Sequence, residues 1–341
     1  MKINIELLKQ KLTDATQKFI SASEAEYFAE LIIDTHIKKS LRSNTLKSAI
    51  SDIKNWQKVG AQEFIKKVDR SGVTVFDCQK LAPALKAKEI HNELLTKARK
   101  NGVAVVGVIN SGGFHTLTFW TDTLEKEGVI ALCMVNGGPA CVVPFGAKGG
   151  DKTAVFGTNP ISYSIPTTRN PISADMATSQ IPYFEIADRK KDGGPLPKDS
   201  VLDADGNPTD AVDKTFFEGE NANIAPLAAS HKGSALMLFL EIMSSSLLGM
   251  PNSIQMNRER FVAEEHGNLI IAFDISAFTD LELFKKNTTS LVDTISNLQP
   301  RTGFEKVSYP GEGSHLRKTQ TRKEGTIEVD EKLLEELEKL L

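Results

Sequence analysis

The sequence predicts an α/β protein with a helical portion built from its ends. Three observations carry this: amphipathic helical periodicity before residue 70, a regular alternation of helix and strand from about 72, and a strand-rich stretch beyond 160. The 341 residues, 40% hydrophobic and 25% charged, suffice for one large or two modest domains. The expected division is a helical domain from 1–70 with about 310–341, and an α/β domain over 71–309.

Ser21 and Glu24 have capping-box spacing, and Phe28, Leu31, Ile32 and Thr35 follow on one face, which predicts a helix over about 23–38. The polar stretch 43–70, with Ile50, Ile53, Trp56 and Phe64, predicts short one-sided helices. GVTVF at 72–76 reads as a strand. Leu81, Leu85, Ile90, Leu94 and Ala98 then mark a helix, with Lys97, Arg99 and Lys100 in its last turn and Gly102 as its stop. VAVVGVI at 103–109 is the next strand; a helix ending in EKEG and the strand 129–135 form a second unit of the same kind. Ile161, Tyr163 and Ile165 alternate with serines, LIIAF at 269–273 is a late strand, and Leu281, Phe284, Leu291 and Ile295 mark a helix. Residues 188–221, rich in Asp, Gly, Pro and Asn, read as loop. The tail VDEKLLEELEKLL reads as an amphipathic helix.

Composition narrows the function. Lys and Arg number 41 against 44 Asp and Glu, a net charge of −3, so the basic footprint a nucleic-acid partner requires is missing. No stretch approaches the ~20 apolar residues of a membrane span. Cys78, Cys133 and Cys141 are odd in number and far apart, which speaks against a disulfide frame or a thiolate zinc site and fits a reducing cytoplasm. The histidines lack metal-ligand spacing, so no metal is expected.

A doubly wound nicotinamide enzyme would carry GxGxxG between strand and helix, and none occurs. GAKGGDKT at 146–153 approaches the phosphate-loop pattern, but Asp151 stands where a glycine is needed, which favours a surface turn. His36 stands at a predicted helix end, where a partly exposed histidine suits the dipole. His115 follows a strand end, where ligands of α/β sheets gather, and is equally readable as a loop histidine packed on Phe114 or Trp120. His231 and Lys232 precede Gly233 and a long apolar helix, a natural anion site whose bland reading is a capped helix start.

Several segments together resemble the malate/L-lactate dehydrogenase family that lacks a Rossmann domain. They are DTH at 34–36, NGVAVVGVINS at 101–111, VVPFG at 142–146, FGTNPISYSIP at 156–166, DMATS at 175–179, DADGNPTD at 203–210, PLAASHKGSALML at 226–238 and YPGEG at 309–313, in the family's order. The resemblance implies a non-Rossmann NAD(P)-binding fold with a mixed, largely antiparallel sheet. It also implies a homodimer with shared active sites, and hydride transfer between NAD or NADP and a small carboxylate: a 2-oxo acid, 2-hydroxy acid or cyclic 2-imino acid. Asp175, Met176, Ala177, Thr178, Ser179, Lys232, Gly311 and Glu312 would lie along the dinucleotide, and Arg42 and Thr158 would meet the substrate. His36 matches the catalytic histidine, and Asp175 the carboxylate that orients it in the imine-reducing members.

Three departures follow. The early motif reads Thr35-His36-Ile37 in place of Ser-His-Gly. The arginine expected four residues on is Ser40, leaving Lys38, Lys39 and Arg42 as nearby cations. The second family histidine falls on Gly113, counted back from Gly128, with His115 two places on. Either His115 takes that role or His36 works alone; a dinucleotide-binding relative without turnover is the alternative.

Overall fold

The computed structural model describes residues 1–39, 45–150, 152–192, 195–211, 222–256 and 266–341. Along the chain, β1 (Lys2–Asn4) leads into α1 (Ile5–Thr16), α2 (Ala22–Lys39) and α3 (Thr45–Val59), then β2 (Ile65–Asp69) and β3 (Val73–Asp77). Next come α4 (Ala87–Asn101), β4 (Val103–Ile109), the short α5 (Thr118–Thr121), β5 (Val129–Val135), β6 (Ile161–Ile165) and β7 (Ile172–Met176). α6 (Tyr183–Asp192), β8 (Val201–Leu202), β9 (Pro208–Thr209) and α7 (His231–Ser244) follow. β10 (Asn268–Asp274), α8 (Leu281–Ser296), α9 (Glu312–Glu324), β11 (Thr326–Glu328) and α10 (Glu331–Glu338) complete the chain.

Two compact units result. The first comprises 1–133, 162–174 and 270–341; the second comprises 134–161 and 175–269. The terminal helices therefore share a unit with the main sheet, whose strand order is β2-β3-β4-β10-β5-β6-β7. β2 and β3 are antiparallel and β3 and β4 parallel, so the sheet is mixed, and its order is not that of a Rossmann fold. β1 and β11 pair antiparallel, joining the two chain ends. In the second unit Val142, Phe156, Ile186, Ile224 and Met237 form the centre of a buried cluster.

The capping box forms as the spacing predicts. Ser21 N–H donates to Glu24 Oε2 at 3.3 Å and Glu24 N–H to Ser21 Oγ at 3.4 Å. Three elements depart from the sequence reading. The described residues of the stretch 43–70 form one helix and then β2, because IKKVD finds an antiparallel partner in β3 and its lysines suit a sheet edge. The helix before Gly102 begins only at Ala87, after a tight turn that Pro83 opens. The region before Gly128 holds only α5 and a tight turn over Leu124–Glu127.

Candidate active site

In the second unit, three of the segments singled out in the sequence are stitched into one place. Thr178 N–H donates to the Thr158 carbonyl at 3.0 Å, and Thr178 Oγ1 donates to the Asn159 carbonyl at 2.7 Å, which fastens DMATS to GTNP. Leu227 N–H donates in turn to the Thr178 carbonyl at 2.8 Å, and Ser179 bridges Pro226, which fastens DMATS to PLAAS. A Cβ on Gly233 would stand 2.2 Å from the Leu227 carbonyl oxygen, so only glycine lets α7 begin so close to that turn. Ala228 and Ala229 hold positive φ of 57° and 43°, a strained turn kept in place by its surroundings.

Beneath these segments Glu241 of α7 is a buried hub. Its carboxylate accepts from Asn159 Nδ2 at 2.6 Å, Asn136 Nδ2 at 3.2 Å, and Ser253 N–H and Oγ at 2.6 and 3.0 Å. Four donors offset the cost of burying the charge and fix the GTNP turn, whose Asn159 has φ +38°. Glu241 carries no motif signature and escaped the sequence reading.

The start of α7 offers what an anion requires. Ser230 Oγ caps it by accepting from Gly233 N–H at 3.2 Å, and His231 and Lys232 stand exposed in its first turn. Met176 is exposed, Asp175 and Ala177 are half-buried, and Thr178 and Ser179 are buried. This donor set suits the pyrophosphate and ribose oxygens of a dinucleotide. GAKGGDKT does not form such a cradle: a Cβ on Gly149 would stand 2.0 Å from the Asp203 carbonyl oxygen, so the segment packs against its own unit.

In the first unit, the YPGEG turn presses on β7. Gly311 has φ +91° and a Cβ there would lie 2.9 Å from Ser173 N, while Ser173 N–H donates to the Pro310 carbonyl at 3.0 Å. Glu312 pairs with Lys306 at 3.0 Å, which holds its carboxyl below the usual range. A cavity of about 310 Å³ opens here, lined by Arg169, Asp293, Tyr309, Glu312 and others.

The histidines of α2 and of the loop after β4 find partners the sequence did not foresee. His36 lies within α2, 7% exposed, and its Nε2 donates to the Glu328 carbonyl of β11 at 2.9 Å. Burial lowers its pKa, with the Glu328 bond acting the other way. That bond ties α2 to β11, and Nδ1 of His36 has no hydrogen-bond partner among the described residues. His115 has φ +56°, and its ring stacks on Phe119 at 5.0 Å, meets Phe28 edge-on, and bonds Asp52 Oδ2 through Nε2. Trp120, offered as its packing partner, stacks on Phe114 instead. Burial pushes the Asp52 carboxyl up against the pull of His115. Lys38, one of the nearby cations, is buried with Asp122 at 2.7 Å, and Ser173 Oγ donates to the same carboxylate at 2.7 Å. Arg42 lies outside the described residues, as does Asp151.

A family model described as malate/L-lactate dehydrogenase matches residues 3–338. The chain belongs to that family. This dehydrogenase family member is 31% identical over 248 residues to the malate/(S)-sulfolactate dehydrogenase of Methanothermus fervidus, covering 72% of this chain and 68% of that protein. It is 32% identical over 252 residues to the Δ1-pyrroline-2-carboxylate/Δ1-piperideine-2-carboxylate reductase of Pseudomonas putida, covering 73% and 69%. Among solved structures, sulfolactate dehydrogenase from Methanocaldococcus jannaschii aligns with a TM-score of 0.82 at 25% identity over 100% of this chain and 96% of that one. Malate dehydrogenase from Entamoeba histolytica shares the fold with a TM-score of 0.83 at 21% identity, covering 100% and 97%. The family member is accordingly an oxidoreductase, on a fold that binds its cofactor without GxGxxG.

Proposed function

We propose that the protein moves a hydride between the nicotinamide of NAD or NADP and C2 of a small 2-oxo acid, 2-hydroxy acid or cyclic 2-imino acid. The observation that carries this reading is the hydrogen-bonded chain from Thr158 through Thr178 and Leu227 to Ser230, the residue that caps α7, whose first turn exposes Lys232. Similar proteins act on both substrate classes, as the names malate/(S)-sulfolactate dehydrogenase and Δ1-pyrroline-2-carboxylate reductase state.

Asp175, Met176, Ala177, Thr178, Ser179 and Lys232 hold the dinucleotide, with Gly311 and Glu312 contributing from the YPGEG turn. Lys232 and the first N–H groups of α7 neutralise pyrophosphate charge. Thr158 and Arg42 serve the substrate. The bound nicotinamide supplies the hydride chemistry, while the protein orients the acid and manages one proton. For that proton the sequence names His36 and His115, with Asp175 as the orienting carboxylate; His36 donates through Nε2 to β11 and keeps Nδ1 without a partner among the described residues, while His115 Nε2 meets Asp52.

The protein works as a cytoplasmic homodimer. Leu238, Phe239 and Ile242 form an apolar face on α7, each about half exposed, which a second copy would cover. Three buried free thiols suit a reducing compartment. Among the described residues no helix is long and apolar enough to cross a membrane.

Titration of reduced nicotinamide fluorescence, followed by a panel of 2-oxo and cyclic imino acids, tests the reading. Saturable binding with turnover on one class is expected. Binding without turnover on any acid would leave a dinucleotide-binding relative and overturn the reaction.

A further inference from the structure

Asp52 lies on α3 one turn before Asn55 and Trp56, and those two side chains grip the segment around Ala82. Asn55 Oδ1 accepts from Ala82 N–H at 2.7 Å, and Trp56 Nε1 donates to the Ala82 carbonyl at 2.8 Å. The loop after β4 is bound to the same segment: Gly112 N–H donates to the Leu81 carbonyl at 3.0 Å, and a Cβ on Gly112 would touch Ala82 Cα at 3.1 Å. Residues 110–115 are thereby drawn down over α3. At the end of the loop Trp120 stacks on Phe114 at 4.4 Å and donates from Nε1 to its carbonyl, which sets the backbone that His115 leaves at φ +56°. A histidine held in that region carries strain that the surrounding contacts must offset.

The outcome is a buried pair with one free side. The His115 side chain is 1% exposed and that of Asp52 5%. The imidazole has Phe119 stacked on one face, Phe28 at its edge and Asp52 Oδ2 at Nε2, which holds the ring against the carboxylate. Asp52 Oδ1 receives no hydrogen bond from any described residue and points at Gly113, which is exposed. A Cβ built on Gly113 would stand 3.5 Å from Oδ1 and meet no other atom within 4 Å. The missing side chain leaves an opening, and a carboxyl oxygen lies at its floor.

We propose that Asp52, held by His115, exchanges the proton with the substrate's C2 oxygen or imine nitrogen through the opening at Gly113. This step rests on the reaction proposed above. In the reducing direction a hydride from reduced nicotinamide adds to C2, and the nicotinamide is oxidised. The π pair of C=O or C=N moves onto the heteroatom, which takes the proton from Asp52 Oδ1. Asp52 is left as a carboxylate facing the Nε2–H of His115, and water returns the proton. Oxidation runs the same steps backwards. Asp52 touches the substrate; His115 is a positioning residue that keeps one carboxyl oxygen fixed and the other free. It is also the titratable group facing Asp52, the ring neighbours Phe28 and Phe119 being uncharged.

The test compares the dinucleotide-loaded wild type with Asp52→Asn, His115→Gln and Gly113→Val. Each variant is first checked by thermal melting and nicotinamide titration. Asp52→Asn keeps its nicotinamide affinity and loses about 10²–10⁴ in kcat, as removal of a positioned acid does. His115→Gln moves the alkaline limb of the reduction profile to higher pH, because the group that lowers the Asp52 pKa is gone. Gly113→Val, an exposed change, closes the opening and lowers kcat/KM with nicotinamide binding intact, so the proposal stays testable if Asp52→Asn fails to fold. A second readout needs no turnover: the affinity of oxamate, a 2-oxo acid mimic, depends on pH in the wild type, and Asp52→Asn abolishes that dependence. A wild type that turns over while Asp52→Asn and Gly113→Val match it in kcat overturns the Asp52 assignment alone. A wild type that turns over no acid overturns the reaction and this step with it.

Discussion

Lys232 stands in the first turn of α7 with its ammonium exposed, beside N–H groups that a bound anion would accept from. Charge-assisted bonds of this kind contribute about 1.5–3 kcal/mol. Lys232→Ala should therefore weaken nicotinamide binding by roughly tenfold or more while the melting temperature holds, since an exposed side chain contributes little to folding. Fluorescence titration beside a thermal melt reads both quantities, and unchanged affinity would place the cofactor elsewhere. Glu241 illustrates the opposite kind of residue. It is buried, and its four accepted bonds set the position of Asn159 and so of the GTNP turn.

At the level of elements, the joint between α2 and β11 carries the second expectation. His36 donates to the Glu328 carbonyl, and β11 is the strand that pairs with β1. His36→Ala leaves that carbonyl without its donor and should cost about 1–3 kcal/mol of stability with kcat changed less than about threefold. Denaturant unfolding together with steady-state kinetics decides it. A tenfold fall in kcat at unchanged stability would return His36 to the chemistry. The loop over 110–115 belongs to this scale too, because its course depends on α3, on the turn at Ala82 and on α5 together.

For the molecule as a whole, oligomeric state and acid stability are the measurable consequences. Phe239→Asp places a charge in the apolar face of α7, and light scattering should register a shift from dimer to monomer; a variant that stays dimeric puts the interface elsewhere. His91 and His315 are both lowered to about 4, each first by burial, with Lys38 also acting on His315. A histidine whose folded pKa lies below its unfolded value of about 6.5 leaves stability unaffected above that pH. Below it the unfolded chain takes up protons that the folded one refuses. Stability should thus fall from about pH 6.5 towards 4, by on the order of 3 kcal/mol for each of the two, and His91→Phe should flatten part of that slope in a urea midpoint series.

The alternation of elements, the capping box at Ser21, the missing GxGxxG and the spacing of GTNP, DMATS and KG were all determined by the sequence alone. Each is a local pattern, and local backbone preference and side-chain period are written within a few turns of chain. That spacing also fixed family membership, through motifs whose order survives at modest identity. Only the tertiary structure decided that IKKVD would be a strand, because an edge strand exists by virtue of its partner. Likewise Asp52 and His115 are 63 residues apart, and Asn136 and Glu241 are 105 apart. Neither pair has a periodic or spacing signature; each forms because loops and helices close over one another and a buried carboxylate must find donors. His36 shows the same limit: its motif pointed to chemistry, and the partner it found came from the far end of the chain.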